Sequence, residues 1–83
     1  MIPGQIVISK MGRDKGKSMV VIAVDGEFAY LADGKLRKLD RPKKKKAKHI
    51  QPTNTIVDMA SHSGRALQDA DIRKYLALFN QSG

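Results

Sequence analysis

Two Asp-Gly pairs, Asp25-Gly26 and Asp33-Gly34, punctuate three short strand-like runs. Residues 18–25 read SMVVIAVD, 27–32 read EFAYLA and 35–39 read KLRKL. An Asp-Gly pair between such runs is the strongest short-range hairpin signal, because both central residues of a type I′ turn need positive φ. The pattern predicts a three-stranded meander over residues 18–39. Residues 5–10 (QIVISK), apolar and β-branched, predict a strand before it, and 48–51 (KHIQ) a short fifth strand after it. The near-continuous apolar run Met19–Val24 marks a strand buried on both faces or bent between two sheets. In the third run Lys35, Arg37 and Leu39 alternate with Leu36 and Lys38, which leaves open which face is wet.

Beyond Pro52 the period changes. Residues 53–68 have no clear repeat; a short helix from Asn54 or Thr55 is one option, and Gly64 should break it. Residues 69–80 (DADIRKYLALFN) place Ile72, Tyr75, Leu76 and Phe79 on one helical stripe, with Asp69 and Asp71 near the start, where they suit the helix dipole. The expected organisation is a barrel over 1–53, a connection over 54–68 and a helix over 69–80 that docks its stripe on the barrel. With 83 residues and no cysteine, the core is shallow and no disulfide supports it. Strands this short must curl to remove their edges. The expected fold is therefore mainly β, a small barrel of about five short strands with a C-terminal α-helix.

Charge is placed unevenly. Residues 1–50 hold 13 Lys and Arg against 5 Asp and Glu, which is the whole net charge of +8. That asymmetry points to a polyanionic partner for this half, nucleic acid or an acidic membrane. The longest apolar run is too short to span a bilayer. The start, MIPGQIV, lacks the pattern of a signal peptide, and the absence of cysteine fits a reducing compartment, so a cytoplasmic location is expected.

Residues 4–24 (GQIVISKMGRDKGKSMVVIAV) run from a strand through a basic, glycine-bearing loop into an apolar strand. Gly4, Val7, Gly12, the Lys15-Gly16-Lys17 triplet and the alternating Val20, Ile22 and Val24 resemble a KOW motif, shared by several ribosomal proteins and by transcription elongation factors of the NusG type. Through residues 28–34 (FAYLADG), the lysine run and 49–53 (HIQPT), the chain is similar to the archaeal and eukaryotic large-subunit ribosomal protein group numbered fourteen-e, and to small bacterial KOW-domain RNA-binding proteins. The resemblance covers about residues 4–53. It implies an SH3-like barrel and a non-enzymatic RNA-binding role, with ribosomal RNA as the leading target and a ribosome-associated location.

Glycines at 12 and 16 allow positive φ and close approach of backbone, and the neighbouring cations make a donor-rich positive loop suited to phosphate oxygens. The plainer reading of Gly16 is a hairpin turn with solvated lysines. Residues 41–48 read RPKKKKAK, and the window 35–48 holds nine basic residues and one acid, Asp40. Because His49 and Ile50 resume a strand, this segment is expected to be a loop held out by the domain. The topology implied by the resemblance brings it to the same end as the first loop. The candidate RNA-binding residues are therefore Arg13, Lys15, Gly16, Lys17, Arg41, Lys43, Lys44, Lys45, Lys46 and Lys48.

Other functions fare less well. Phe28 and Tyr30 share a strand face and could stack bases, but a core with four aromatics in all is expected to claim them. His49 and His62 have no further ligands at metal spacing, so no metal, other cofactor or small-molecule substrate is expected. The ending GKS at 16–18 mimics a phosphate-binding loop, but Gly12 and Gly16 are too close for that motif and no long helix follows. No catalytic grouping of side chains emerges. A protein-interaction module of the transcription or translation machinery, touching ribosomal proteins for example, is the alternative reading. Membrane attachment through the lysines would lack an apolar anchor.

Overall fold

A computed structural model describes residues 1–60 and 64–82. Its elements are β1 (Gln5–Ser9), β2 (Ser18–Asp25), β3 (Phe28–Ala32), β4 (Lys43–Lys46), a one-turn 3₁₀ helix (Ala47–His49), β5 (Ile50–Ile56) and α1 (Asp69–Ser82). All strands pair antiparallel in the order β4-β3-β2-β1-β5. The two edge strands, β4 and β5, are joined by only the three residues of the 3₁₀ turn. So short a link between opposite edges requires the sheet to roll up. The turn is tied at both ends: Ala47 N–H donates to Glu27 O and Lys10 N–H to His49 O, each at 2.8 Å. The result is a small SH3-like barrel with one helix against its side.

Two buried clusters explain the apolar run of β1 and that of β2 as far as Val21, beyond which Ala23 and Val24 are exposed. Val7, Met19, Val21, Ala29, Leu31 and Ile50 fill the barrel. Ile6 and Val20, a cross-strand pair on the opposite face, pack instead against Ile72 and Leu76 of α1. Adjacent residues of a strand point to opposite faces, so both faces of β1 and β2 are needed and both are apolar. The helical stripe supplies the second layer. Burying Ile72 and Leu76 contributes about 1.5–3 kcal/mol each before entropy is counted. Phe79 joins the same cluster, and the Tyr75 hydroxyl donates to Asp58 O at 3.1 Å.

Four expectations from sequence are corrected. Residues 35–39 are not a strand. The Asp33 carboxylate accepts from the N–H groups of Lys35 and Arg37, both at 2.8 Å, and Arg37 O accepts from Asp33 and Gly34 N–H. This local side-chain turn competes with strand pairing and curls the segment into a loop that leaves Leu36 73 % exposed. The lysine run is not a loop: Lys43–Lys46 form β4, paired with residues 28–31. β3 has a free edge after β2 pairs its other side, and the lysine segment fills it. The last strand runs to Ile56, beyond the short stretch expected, and no helix begins at Asn54 or Thr55. Pro52 lies inside it, opposite Val7, which an edge strand tolerates because the missing N–H faces away from the ladder. The first hairpin also turns one residue later than its Asp-Gly pair implies, through Gly26-Glu27, since Asp25 pairs with Phe28.

Gly34 has φ +79°, and a Cβ there would lie 2.5 Å from Asp69 O and 2.8 Å from Arg73 Cγ. Gly26 has φ +59° with nothing within 4 Å. Alanine at position 26 is expected to cost about 1 kcal/mol for the left-handed backbone alone. Alanine at 34 should cost clearly more, about 2–4 kcal/mol, because α1 must also move. Urea unfolding of the two variants measures the difference; equal costs would mean that α1 does not pack on Gly34.

Candidate nucleic-acid interface

Strand pairing divides the lysine run between two surfaces. Lys44 stands opposite Tyr30 and Lys46 opposite Phe28. These four share the outer face, because Ala29 and Leu31 point into the barrel. The Lys44 ammonium lies 4.4 Å from the centroid of the Phe28 ring, and that of Lys46 lies 6.0 Å away. Such cation–π contacts at an exposed site are worth about 0.5–1 kcal/mol. Lys46 is also 3.9 Å from Glu27, a solvent-exposed pair of little energetic weight. The aromatics are thus half-buried on the outside and not in the core, contrary to expectation.

Lys43 and Lys45 lie on the other face, opposite Leu31 and Ala29, and both are half-buried. Their aliphatic stems cover the end of the barrel. Lys45 Nζ donates to Ser9 Oγ and to Met11 O, each at 2.6 Å. It thereby pins the loop between β1 and β2 to the lysine strand.

That loop is held by its own bonds. Gly16 N–H donates to Ser9 O, Lys15 N–H to Gly12 O and Lys17 N–H to Asp14 O. Gly12 and Gly16 both have positive φ, at +83° and +85°. Asp14 is only 4 % exposed and accepts from Arg37 Nη2 at 3.3 Å, an ion pair that sequence reasoning missed. Arg37 Nε is buried and has no hydrogen-bond partner among the described residues. A buried donor left unmet costs about 1–3 kcal/mol, which offsets part of what the Asp14 pair contributes.

A cavity of about 430 Å³ collects Arg13, Lys43, Lys45, Arg37 and His49 around Met11, Gly12 and Asp14. Of the residues expected from sequence, it unites Arg13 with Lys43 and Lys45. Gly16 and Lys17 instead line a separate groove beside α1, with Lys35 and Arg73. Lys15, Arg41 and Lys48 are exposed and line neither. Arg37 is the member of the cavity that sequence reasoning missed, while Phe28 and Tyr30, weighed as base-stacking residues but expected in the core, lie on the outer face. The small residue Ala29, which points into the barrel between them, was the available sign that β3 turns its aromatics outward, since a narrow barrel takes alanine more easily than phenylalanine. His62 lies outside the described residues.

Among the described residues no group of three or more His, Cys, Asp and Glu could hold a metal ion, and no helix is long and apolar enough to cross a membrane. No protein-family model matches the chain, and comparison with curated proteins finds no match.

Lys45→Met keeps the aliphatic stem and removes both hydrogen bonds. It is expected to cost about 1 kcal/mol of stability and to speed amide hydrogen exchange at Gly16 and Lys17. Unchanged exchange in that loop would show that Lys45 does not fasten it.

Proposed function

We propose that this chain binds structured RNA without catalysing a reaction, and that ribosomal RNA is its target, as a ribosomal or ribosome-associated protein. The observation that carries the reading is the convergence of cations from separate elements on one end of the barrel. Arg13 comes from the first loop, Lys43 and Lys45 from β4 and Arg37 from the loop after β3. Lys44 and Lys46 extend the positive surface around the barrel wall. Cations held on strand and tied loop are positioned at little further entropic cost, which suits the fixed phosphates of a folded RNA.

RNA is favoured over DNA on structural grounds. Among the described residues there is no helix pair of the helix-turn-helix kind that would set a recognition helix into a major groove. Folded RNA is read by shape and backbone contacts, which a compact basic barrel can make. The resemblance to KOW proteins, more than the charge, supports ribosomal RNA in particular. Affinity should come from neutralised phosphates and fall steeply with salt.

The second reading is a protein-interaction module, favoured by the outward aromatics Phe28 and Tyr30. Capture of a partner that survives nuclease treatment would support it.

Replacing Lys43, Lys44 and Lys46 together by threonine preserves β propensity and removes three charges. The slope of log K against log salt should become shallower by roughly 2–3, and binding at low salt should weaken. Titration of a folded RNA between 50 and 200 mM salt reads both. An unchanged slope would remove these lysines from the interface.

A further inference from the structure

We infer that the outer face of β3 and β4 is a stacking platform for an unpaired nucleotide of the bound RNA, the base lying on Phe28 or Tyr30 and its flanking phosphates on Lys44 and Lys46. The inference rests on the RNA-binding reading and adds the class of RNA element that is recognised, a loop or bulge in place of uninterrupted duplex.

The register builds this face. Across it stand Ala23 and Asp25 of β2, Tyr30 and Phe28 of β3, and Lys44 and Lys46 of β4, paired row by row. Ala29 and Leu31 fill the barrel from the same strand, so the two aromatics are not needed by the core. Ala23 is exposed and offers only a methyl group beside Tyr30, which leaves space over that ring. Phe28 and Tyr30, two residues apart, are separated by roughly 6.6 Å along the strand. Stacked bases in a duplex rise by roughly 3.4 Å, so the two rings match bases that have come apart and not a continuous stack.

Charge fixes how a strand would lie. Lys44 holds its ammonium 4.4 Å from the Phe28 centroid, where a base would rest. An arriving nucleotide exchanges that cation for its base and gives the ammonium a phosphate. Asp25, in the row of Phe28, repels phosphate from the β2 side. The backbone is therefore directed along β4, toward the cations. Every base has a π face, so the platform should tolerate any sequence.

The test compares an RNA hairpin carrying a single-stranded loop with a blunt duplex of equal phosphate number. The wild-type protein should bind the looped RNA more tightly. Phe28→Leu with Tyr30→Leu should lower its affinity for the looped RNA roughly tenfold or more while leaving the salt slope and duplex binding unchanged. Phe28→Tyr should retain the wild-type preference. Photocrosslinking of the wild-type protein to 4-thiouridine in the loop should label Phe28 or Tyr30, and needs no variant. Equal binding of both RNAs by the wild type, an unaffected double variant, or crosslinks confined to other residues would each overturn the platform while RNA binding itself stood. Failure of the wild type to bind either RNA would overturn the RNA reading and the platform together. Binding of a proline-rich peptide, lost in the same double variant with looped RNA unaffected, would assign the face to peptides instead.

Discussion

The four-residue ladder between β3 and β4 is the constraint on which the candidate site depends. It places Phe28, Ala29, Tyr30 and Leu31 opposite Lys46, Lys45, Lys44 and Lys43. Four consecutive lysines are poor strand material, and their charges repel. Alternation eases the repulsion, because neighbours on one face lie roughly 7 Å apart and two unit charges at that distance in water cost only about 0.6 kcal/mol. One ammonium is absorbed by Ser9 and Met11, and another rests on an aromatic ring. The remaining cost is offset by the backbone bonds of the ladder and by the covered edge of β3. A lysine edge also discourages further strands from adding to the sheet.

That ladder shapes the charge distribution as much as the composition does. The excess of cations in the first fifty residues is not a uniform cloud. Arg37 is committed to Asp14 and Lys45 to the first loop, while Lys43, Lys44 and Arg13 remain available at the barrel's end and wall. A disordered lysine tail would have to be ordered on binding. Here the backbone is already fixed, so the proposed binding would order mainly side chains, at about 0.5–1.5 kcal/mol each.

Much of the fold is legible in the sequence where hydropathy carries it. β1, β2 and β3 and the stripe of α1 follow from apolar runs and helical spacing, because burial selects those residues directly. β4 is invisible to the same reading, since a run of identical lysines has no period and only the free edge of β3 makes it a strand. Residues 35–39 mislead in the opposite sense: KLRKL alternates like a strand, yet the Asp33 carboxylate captures its N–H groups first. The candidate site was legible as a set of charges and not as an arrangement. Which lysine points where depends on a register that pairing fixes, and the phase of Phe28 and Tyr30 depends on the size of the barrel they would otherwise enter.

Lysine-selective acylation read by mass spectrometry, with and without a folded RNA, tests the central claim most directly. In the free protein Lys45 should react slowly, since its ammonium is held by Ser9 and Met11, while Lys43, Lys44 and Lys46 react. On adding RNA, Lys43, Lys44 and Lys46 should become protected, and Lys74, exposed on the outer side of α1, should not. Uniform protection of all lysines, or protection of Lys74 without that of Lys44 and Lys46, would contradict a specific interface built on β4.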